Sequence, residues 1–191
     1  MTGSSEMPAE RYRSGSRRTH RGPGAEMAVP QALSPWEEEI LRHLGPKVVV
    51  LGIGNRERGD DGAGSIIAEE LAGRRVPRVF DCGGLPENFV VRVAAINPSD
   101  ILFVDAVDFG APPGSIEFFE SESLGVQSAS THSAGLSPVM TFLTQSCRAS
   151  CWLLAVQPEQ LTWGEGPSQP VAEAVEAVIS SVVWRVLAND G

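Results

Sequence analysis

An unbroken apolar run, Val48-Val49-Val50-Leu51, stops at Gly52-Ile53-Gly54-Asn55, and two adjacent carboxylates, Asp60 and Asp61, follow between glycines where a helix should begin. Such a run reads as a strand buried on both faces, as in a parallel sheet. A strand of that kind delivers the residues after its C-terminal end to the crevice where open α/β sheets build their sites. The same segment excludes nucleotide binding. The dinucleotide fingerprint needs a glycine three positions after Gly54, and Glu57 stands there; the Gly-Lys-Ser/Thr of a P-loop is absent. The segment therefore reads as a cation or peptide site.

The rest of the chain supports one α/β domain. Its 191 residues suffice for a sizeable core. Net charge is -9 and unevenly placed: residues 1–27 carry five Arg against three Glu, while the remainder holds ten basic and twenty-one acidic residues. An acidic body is a poor surface for nucleic acid or anionic membrane. No apolar stretch is long enough to span a bilayer, and Arg17-Arg18 is not followed by the apolar segment of a secretory signal. Three cysteines, Cys82, Cys147 and Cys151, do not suggest a disulfide framework, so a reducing cytoplasm is expected. Cys147 and Cys151 are read as thiols four apart on a helix, in the core or on its surface.

Residues 1–34, rich in Ser, Gly, Pro and Arg without periodicity, are expected to form a disordered tail. Residues 35–191 are expected to form the domain, opening with an accessory helix over 35–45. That helix has Ser34 as N-cap, Pro35 at the first position and acids in the first turn. Strands are expected at Val48–Leu51, Val79–Asp81, Ile101–Val104 and Trp152–Val156, with an antiparallel edge strand at Ser115–Phe119. Helices are expected at Ala63–Ala72, Asn88–Ile96, Leu136–Gln145 and Val171–Leu187. This alternation predicts a mostly parallel sheet covered by helices on both faces.

Candidate functional residues follow strand ends: Asp60 and Asp61, then Asp81, then Asp105 and Asp108. A separate loop holds His132. Each has a structural explanation by itself. Asp60 or Asp61 can cap the helix at Ala63, Asp81 can form a turn before Gly83-Gly84, Asp105 and Asp108 can bind loop amides, and His132 can cap the helix near Gly135. Together, carboxylates and an imidazole on neighbouring loops form a ligand set suited to Ni²⁺, Zn²⁺ or Fe²⁺ with open positions. A pair of carboxylates sharing a proton, as in aspartic proteases, fits the same residues. Cys82 with His132 is a weaker nucleophilic arrangement, since nothing in the sequence activates the thiol.

Five motifs in order carry a resemblance over the chain from about Val48 onward. They are Gly52-x-Gly54-Asn55 with Asp60-Asp61-Gly62-x-Gly64; Asp81-x-Gly83-Gly84-Leu85-Pro86-Glu87-Asn88; Val104-Asp105-Ala106-x-Asp108-x-Gly110 with Pro113-Gly114; Thr131-His132; and Gln157-Pro158. This order resembles the [NiFe]-hydrogenase maturation endopeptidases, nearest to the branch serving formate-hydrogenlyase-type (hydrogenase 3) enzymes. The resemblance implies a three-layer α/β/α sandwich with a twisted, mostly parallel five-stranded sheet. It implies an enzyme that removes the C-terminal extension of a hydrogenase large-subunit precursor after nickel insertion. Asp61, Asp105 and His132 are the residues it assigns to catalysis and to contact with nickel. The nickel is presented by the precursor and only weakly held by the protease itself. A cytoplasmic monomer is expected. The alternatives are a non-catalytic nickel- or precursor-binding chaperone and a self-contained metallopeptidase using the same residues.

Overall fold

Val49, Val50 and Leu51 are fully buried in the first strand, β1 (Val48–Gly52), where each apolar side chain removed from water contributes about 1.5–3 kcal/mol. The computed structural model of the protein describes residues 32–121, 131–164 and 166–188, and of residues 131–134 and 182–188 the backbone only. Residues 1–31, most of the expected tail, lie outside the described residues.

Around β1 the chain builds α1 (Pro35–His43), a 3₁₀ turn (Gly59–Gly62), α2 (Ala63–Gly73), β2 (Val79–Asp81), a second 3₁₀ turn (Pro86–Phe89), α3 (Val90–Ile96) and β3 (Asp100–Ala106). β4 (Ile116–Glu120), α4 (Thr131–Cys147), β5 (Ser150–Val156) and α5 (Gln169–Ala188) complete it. The sheet order is β2-β1-β3-β5-β4. All neighbours are parallel except the edge strand β4, which runs antiparallel to β5 with Ile116 opposite Val156. The fold is the expected five-stranded, mostly parallel sheet with helices on both faces.

Period-two alternation splits the core into two. Val48 and Val50 of β1, Leu102 and Val104 of β3, and Trp152 and Leu154 of β5 face α1, α2 and α5. Val49, Leu51, Ile101, Phe103, Cys151 and Leu153 face α3 and α4. β2 and β3 lie on opposite sides of β1, and the helices leading to them, α2 and α3, cover opposite faces. The winding direction therefore reverses between β1 and β3, and their C-terminal ends flank the crevice that such a reversal opens.

The start of α1 follows the sequence closely. Ser34 donates to the Glu37 carboxylate from both its backbone N–H and its hydroxyl, each at 2.7 Å, and Pro35 sits in the first turn. At the amino end of the sheet, Asp100 is buried with both carboxylate oxygens in use: one accepts the Gly45 N–H at 3.0 Å and the other the Trp152 indole N–H at 3.1 Å.

Three local expectations change. α4 begins at Thr131 rather than Leu136, so His132 lies in a first helical turn and not in a loop. Gly135 and Pro138 are weak helix formers, which makes the sequence favour a later start; the helix accommodates Pro138 inside it at the loss of one backbone bond. Cys147 and Cys151 do not share a helix, because Cys147 ends α4 and Cys151 lies in β5. Residues 88 and 89 belong to a 3₁₀ turn that precedes α3.

Candidate active site

Two glycines bring the site together. Gly54 has φ 138°, and a Cβ there would fall 1.7 Å from the Asp61 carbonyl oxygen. At Gly64 a Cβ would lie 2.0 Å from the Val104 carbonyl oxygen and 2.4 Å from that of Ile53. Side chains at either position would push the Asp60-Asp61 turn and the start of α2 off the ends of β1 and β3. Their absence lets that turn sit directly over the crevice.

The adjacent acids separate into different roles. Asp60 is fully buried and accepts the N–H groups of Glu159 (2.8 Å), Gln160 (3.0 Å) and Ser168 (2.5 Å) together with the Ser168 hydroxyl (3.0 Å). Burial pushes its carboxyl pKa up, but these donors outweigh burial and hold it below the usual carboxylate range. Asp60 thus fastens the segment between β5 and α5; it does not cap α2, whose N-cap is Gly62 with no side-chain bond. Asp61, also buried, accepts the Asn55 N–H at 3.1 Å.

Asp105 is the penultimate residue of the internal strand β3, at 2 % exposure. Its Oδ1 accepts the Ala106 N–H at 2.8 Å, while Oδ2 is buried without a hydrogen-bond partner. Burial pushes its pKa up to about 7; the Ala106 amide opposes that rise and the negative charge of Asp61 adds to it. The structure thus brings Asp61 and Asp105 within electrostatic reach of each other. Asp105 also lines a cleft of about 410 Å³ with Ile53, Gly84, Glu87, Leu136 and Val139. The third candidate, His132, lies one turn before the Gly135–Leu136 wall of this cleft, and its side chain is outside the described residues. Among the described residues, no three His, Cys, Asp or Glu side chains are grouped to hold a metal.

The other candidates are structural. Asp81 accepts the Gly83 N–H at 3.1 Å and pairs with Arg56 at 2.9 Å. Asp108 accepts the Gly110 N–H (3.1 Å) and the Gln157 amide (3.0 Å), while Gln157 Oε1 receives the N–H groups of Phe109 and Ala111. Gln157 therefore shapes the loop after β3. Cys82 is buried and its thiol pKa is pushed up to about 12 by burial and by Asp81, which removes it as a nucleophile.

Two residues were not singled out from sequence. Glu87, beside the cleft, is visible there only as part of the Pro86-Glu87-Asn88 run. Arg56 donates to Ser65 Oγ (2.7 Å), the Ser65 carbonyl (2.8 Å) and Asp81, and also pairs with Glu69; it ties the loop after β1 to α2 and to the end of β2. Its partners lie up to 25 residues away, so no local pattern marks it.

The arrangement has relatives. Residues 66–184 match the family model of the hydrogenase maturation proteases (HycI). Over 135 residues the chain is 33% identical to the hydrogenase 3 maturation protease of Escherichia coli K12, spanning 68% of this chain and 85% of that one. The crystal structure of the [NiFe] hydrogenase maturation protease HycI from Thermococcus kodakarensis superposes with a TM-score of 0.71 at 28% identity, covering 81% of this chain and 99% of the other. The solution structure of the Escherichia coli endopeptidase HycI gives 0.64 at 29% identity, over 73% and 91% of the two chains.

Proposed function

Because the chain belongs to the hydrogenase maturation protease family, we propose that it is the endopeptidase that removes the C-terminal extension of a [NiFe]-hydrogenase large-subunit precursor of the formate-hydrogenlyase type. Asp61, Asp105 and His132 meet the nickel that the precursor carries. The observation that supports this most directly is Asp105 Oδ2, a buried acceptor with no partner beside a cleft sized for a few residues of extended chain. An orphaned carboxylate oxygen costs stability in the free protein, and a cation or a water brought by the substrate satisfies it.

Nickel belongs to the substrate in this reading. A protease with its own tightly held metal would cut loaded and empty precursor alike. A nitrogen- and oxygen-donor set without thiolates holds metal weakly, so the interaction is present only when the precursor supplies the ion, and that difference in affinity makes cleavage depend on loading. The reaction consumes one water, which adds its hydroxyl to the scissile carbonyl carbon while the departing amine takes the proton. Asp105, lining the cleft with one carboxylate oxygen unpartnered, is placed to accept or return that proton.

No helix among the described residues is long and apolar enough to cross a membrane. We place the enzyme in the cytoplasm, acting as a monomer, with residues 1–34 as a dispensable tail. Purified metal-free protein incubated with nickel-loaded and nickel-free precursor, read by mass spectrometry, tests the reading. Loss of the extension from loaded precursor alone is expected; efficient cutting of nickel-free precursor overturns the role given to nickel, and no cutting of either overturns the activity.

A further inference from the structure

The segment between β5 and α5 presents an exposed tryptophan from a tightly fastened support. Trp163 is 74% exposed, and a tryptophan normally buries most of its ring. The support is not slack. Besides the bonds to Asp60, Gly164 N–H donates to the Glu57 carbonyl (3.0 Å), Gly59 N–H donates to the Gly164 carbonyl (3.1 Å), and Arg58 Nη2 donates to the Leu161 carbonyl (3.2 Å). Arg58 and Gly164 form a β-bridge. Trp163 is therefore held next to the backbone that leads into Asp61.

A second exposed apolar residue hangs on the same loop from another direction. Leu85 is 55% exposed. Its segment is fixed to the β1 loop by the Gly54 N–H to Gly83 carbonyl bond (2.9 Å) and by the Arg56–Asp81 pair. Its neighbours Gly84, Pro86 and Glu87 line the cleft, whereas Trp163 does not. A substrate segment seated in the cleft therefore leaves Trp163 for something else.

We propose that Trp163, assisted by Leu85, is a docking anchor for the folded body of the precursor, separate from the cleft that takes its tail; this rests on the precursor-processing reading above. The fixed support lowers the ordering cost of contact, and an exposed tryptophan is the residue type that most often dominates an interface. Glu57, whose carbonyl holds Gly164, and Glu159, on the same segment as Trp163, are both exposed, and their charge favours an apolar pocket on the precursor bordered by Lys or Arg.

Kinetics of the full chain on nickel-loaded, full-length precursor of the formate-hydrogenlyase type test this. Trp163→Ala should raise KM by about tenfold or more with kcat within about twofold. Trp163→Phe should recover most of the loss, and Leu85→Ala should raise KM less. Trp163 emission, isolated as the difference between wild type and Trp163→Phe, should shift to the blue when precursor is added. Trp163→Ala should melt within about 1–2 °C of wild type, since an exposed surface residue contributes little to folding. Failure of wild type to cut any precursor removes the processing reading, and the emission shift then still reports docking by itself. Normal cutting by wild type with unchanged KM in Trp163→Ala, or with no emission shift, overturns the anchor and leaves the processing reading standing.

Discussion

Strand β3 carries a buried aspartate at its first and at its penultimate position, and the two behave oppositely. Asp100, at the amino edge, has both carboxylate oxygens occupied, by Gly45 N–H and by the Trp152 indole. Asp105, at the carboxyl edge, has one occupied and one orphaned, with the charge of Asp61 nearby. Burial is nearly the same, at 6 % and 2 %. What separates the two carboxylates is therefore unmet hydrogen-bonding capacity, not depth, and that is the difference on which the proposed role of Asp105 rests. The neighbours Asp60 and Asp61 repeat the contrast within a single turn: Asp60 is fully engaged by donors from the β5–α5 segment, and Asp61 is left with the Asn55 amide.

The sharpest way to break this contrast is Asp105→Asn. Cleavage of loaded precursor should fall by about 10²–10⁴-fold, the range over which a positioned acid or base contributes, measured by single-turnover assay. Its stability should move the other way. A carboxyl whose folded pKa is raised from 3.8 to about 7 stabilises the fold fully below pH 4, and that contribution is lost as pH rises through 7. Wild type should therefore lose on the order of 4 kcal/mol from this group between pH 4 and pH 8. Asp105→Asn should flatten the slope and be the more stable protein at pH 8 by urea denaturation. A steeper slope in the variant would show that Asp105 is structural like Asp100.

Asp60→Ala comes next. It strands three backbone donors and should cost about 2–3 kcal/mol of stability, with KM for full precursor rising because Trp163 loses its support. Asp100→Asn should cost about 1–3 kcal/mol by leaving the Gly45 N–H or the indole unpaired, with kcat unchanged in the folded fraction. An activity loss there comparable to that of Asp105→Asn would erase the distinction between the ends of the strand. The smallest effect is expected from removing residues 1–33: cleavage rate and melting temperature should stay within error. A clear loss of activity would give the tail a place in precursor binding.

Much of this architecture is legible in the sequence because its signals are local. Val48–Leu51 and Ile101–Val104 read as buried strands from their unbroken apolar runs, and Ser34-Pro35 with Glu37 read as a helix start; the structure has all three. The acidic loops at the ends of β1 and β3 follow from that reading, since a doubly wound sheet must bring them together. What escaped is non-local or contradicts local preference. The true start of α4, which moved His132 from a loop onto a helix, runs against Gly135 and Pro138. The task of Asp60 could not be read because its partners are remote, and a cap on the adjacent helix was the nearest available explanation. Arg56 is invisible for the same reason, and Gln157 is legible only as part of the Gln157-Pro158 motif: the value of each lies in which loops it joins.

The Asp60 fastening also sets a schedule. Its acceptors wait for donors 99 to 108 residues further along the chain, so during translation the Asp60-Asp61 turn exists for about 5–20 s before its fastening segment is made, at ordinary elongation rates. Through that interval the emerging polypeptide has the Asp60-Asp61 turn but not the segment that carries Trp163. The turn that carries Asp61 is therefore completed only when the segment leading into the last helix has been made.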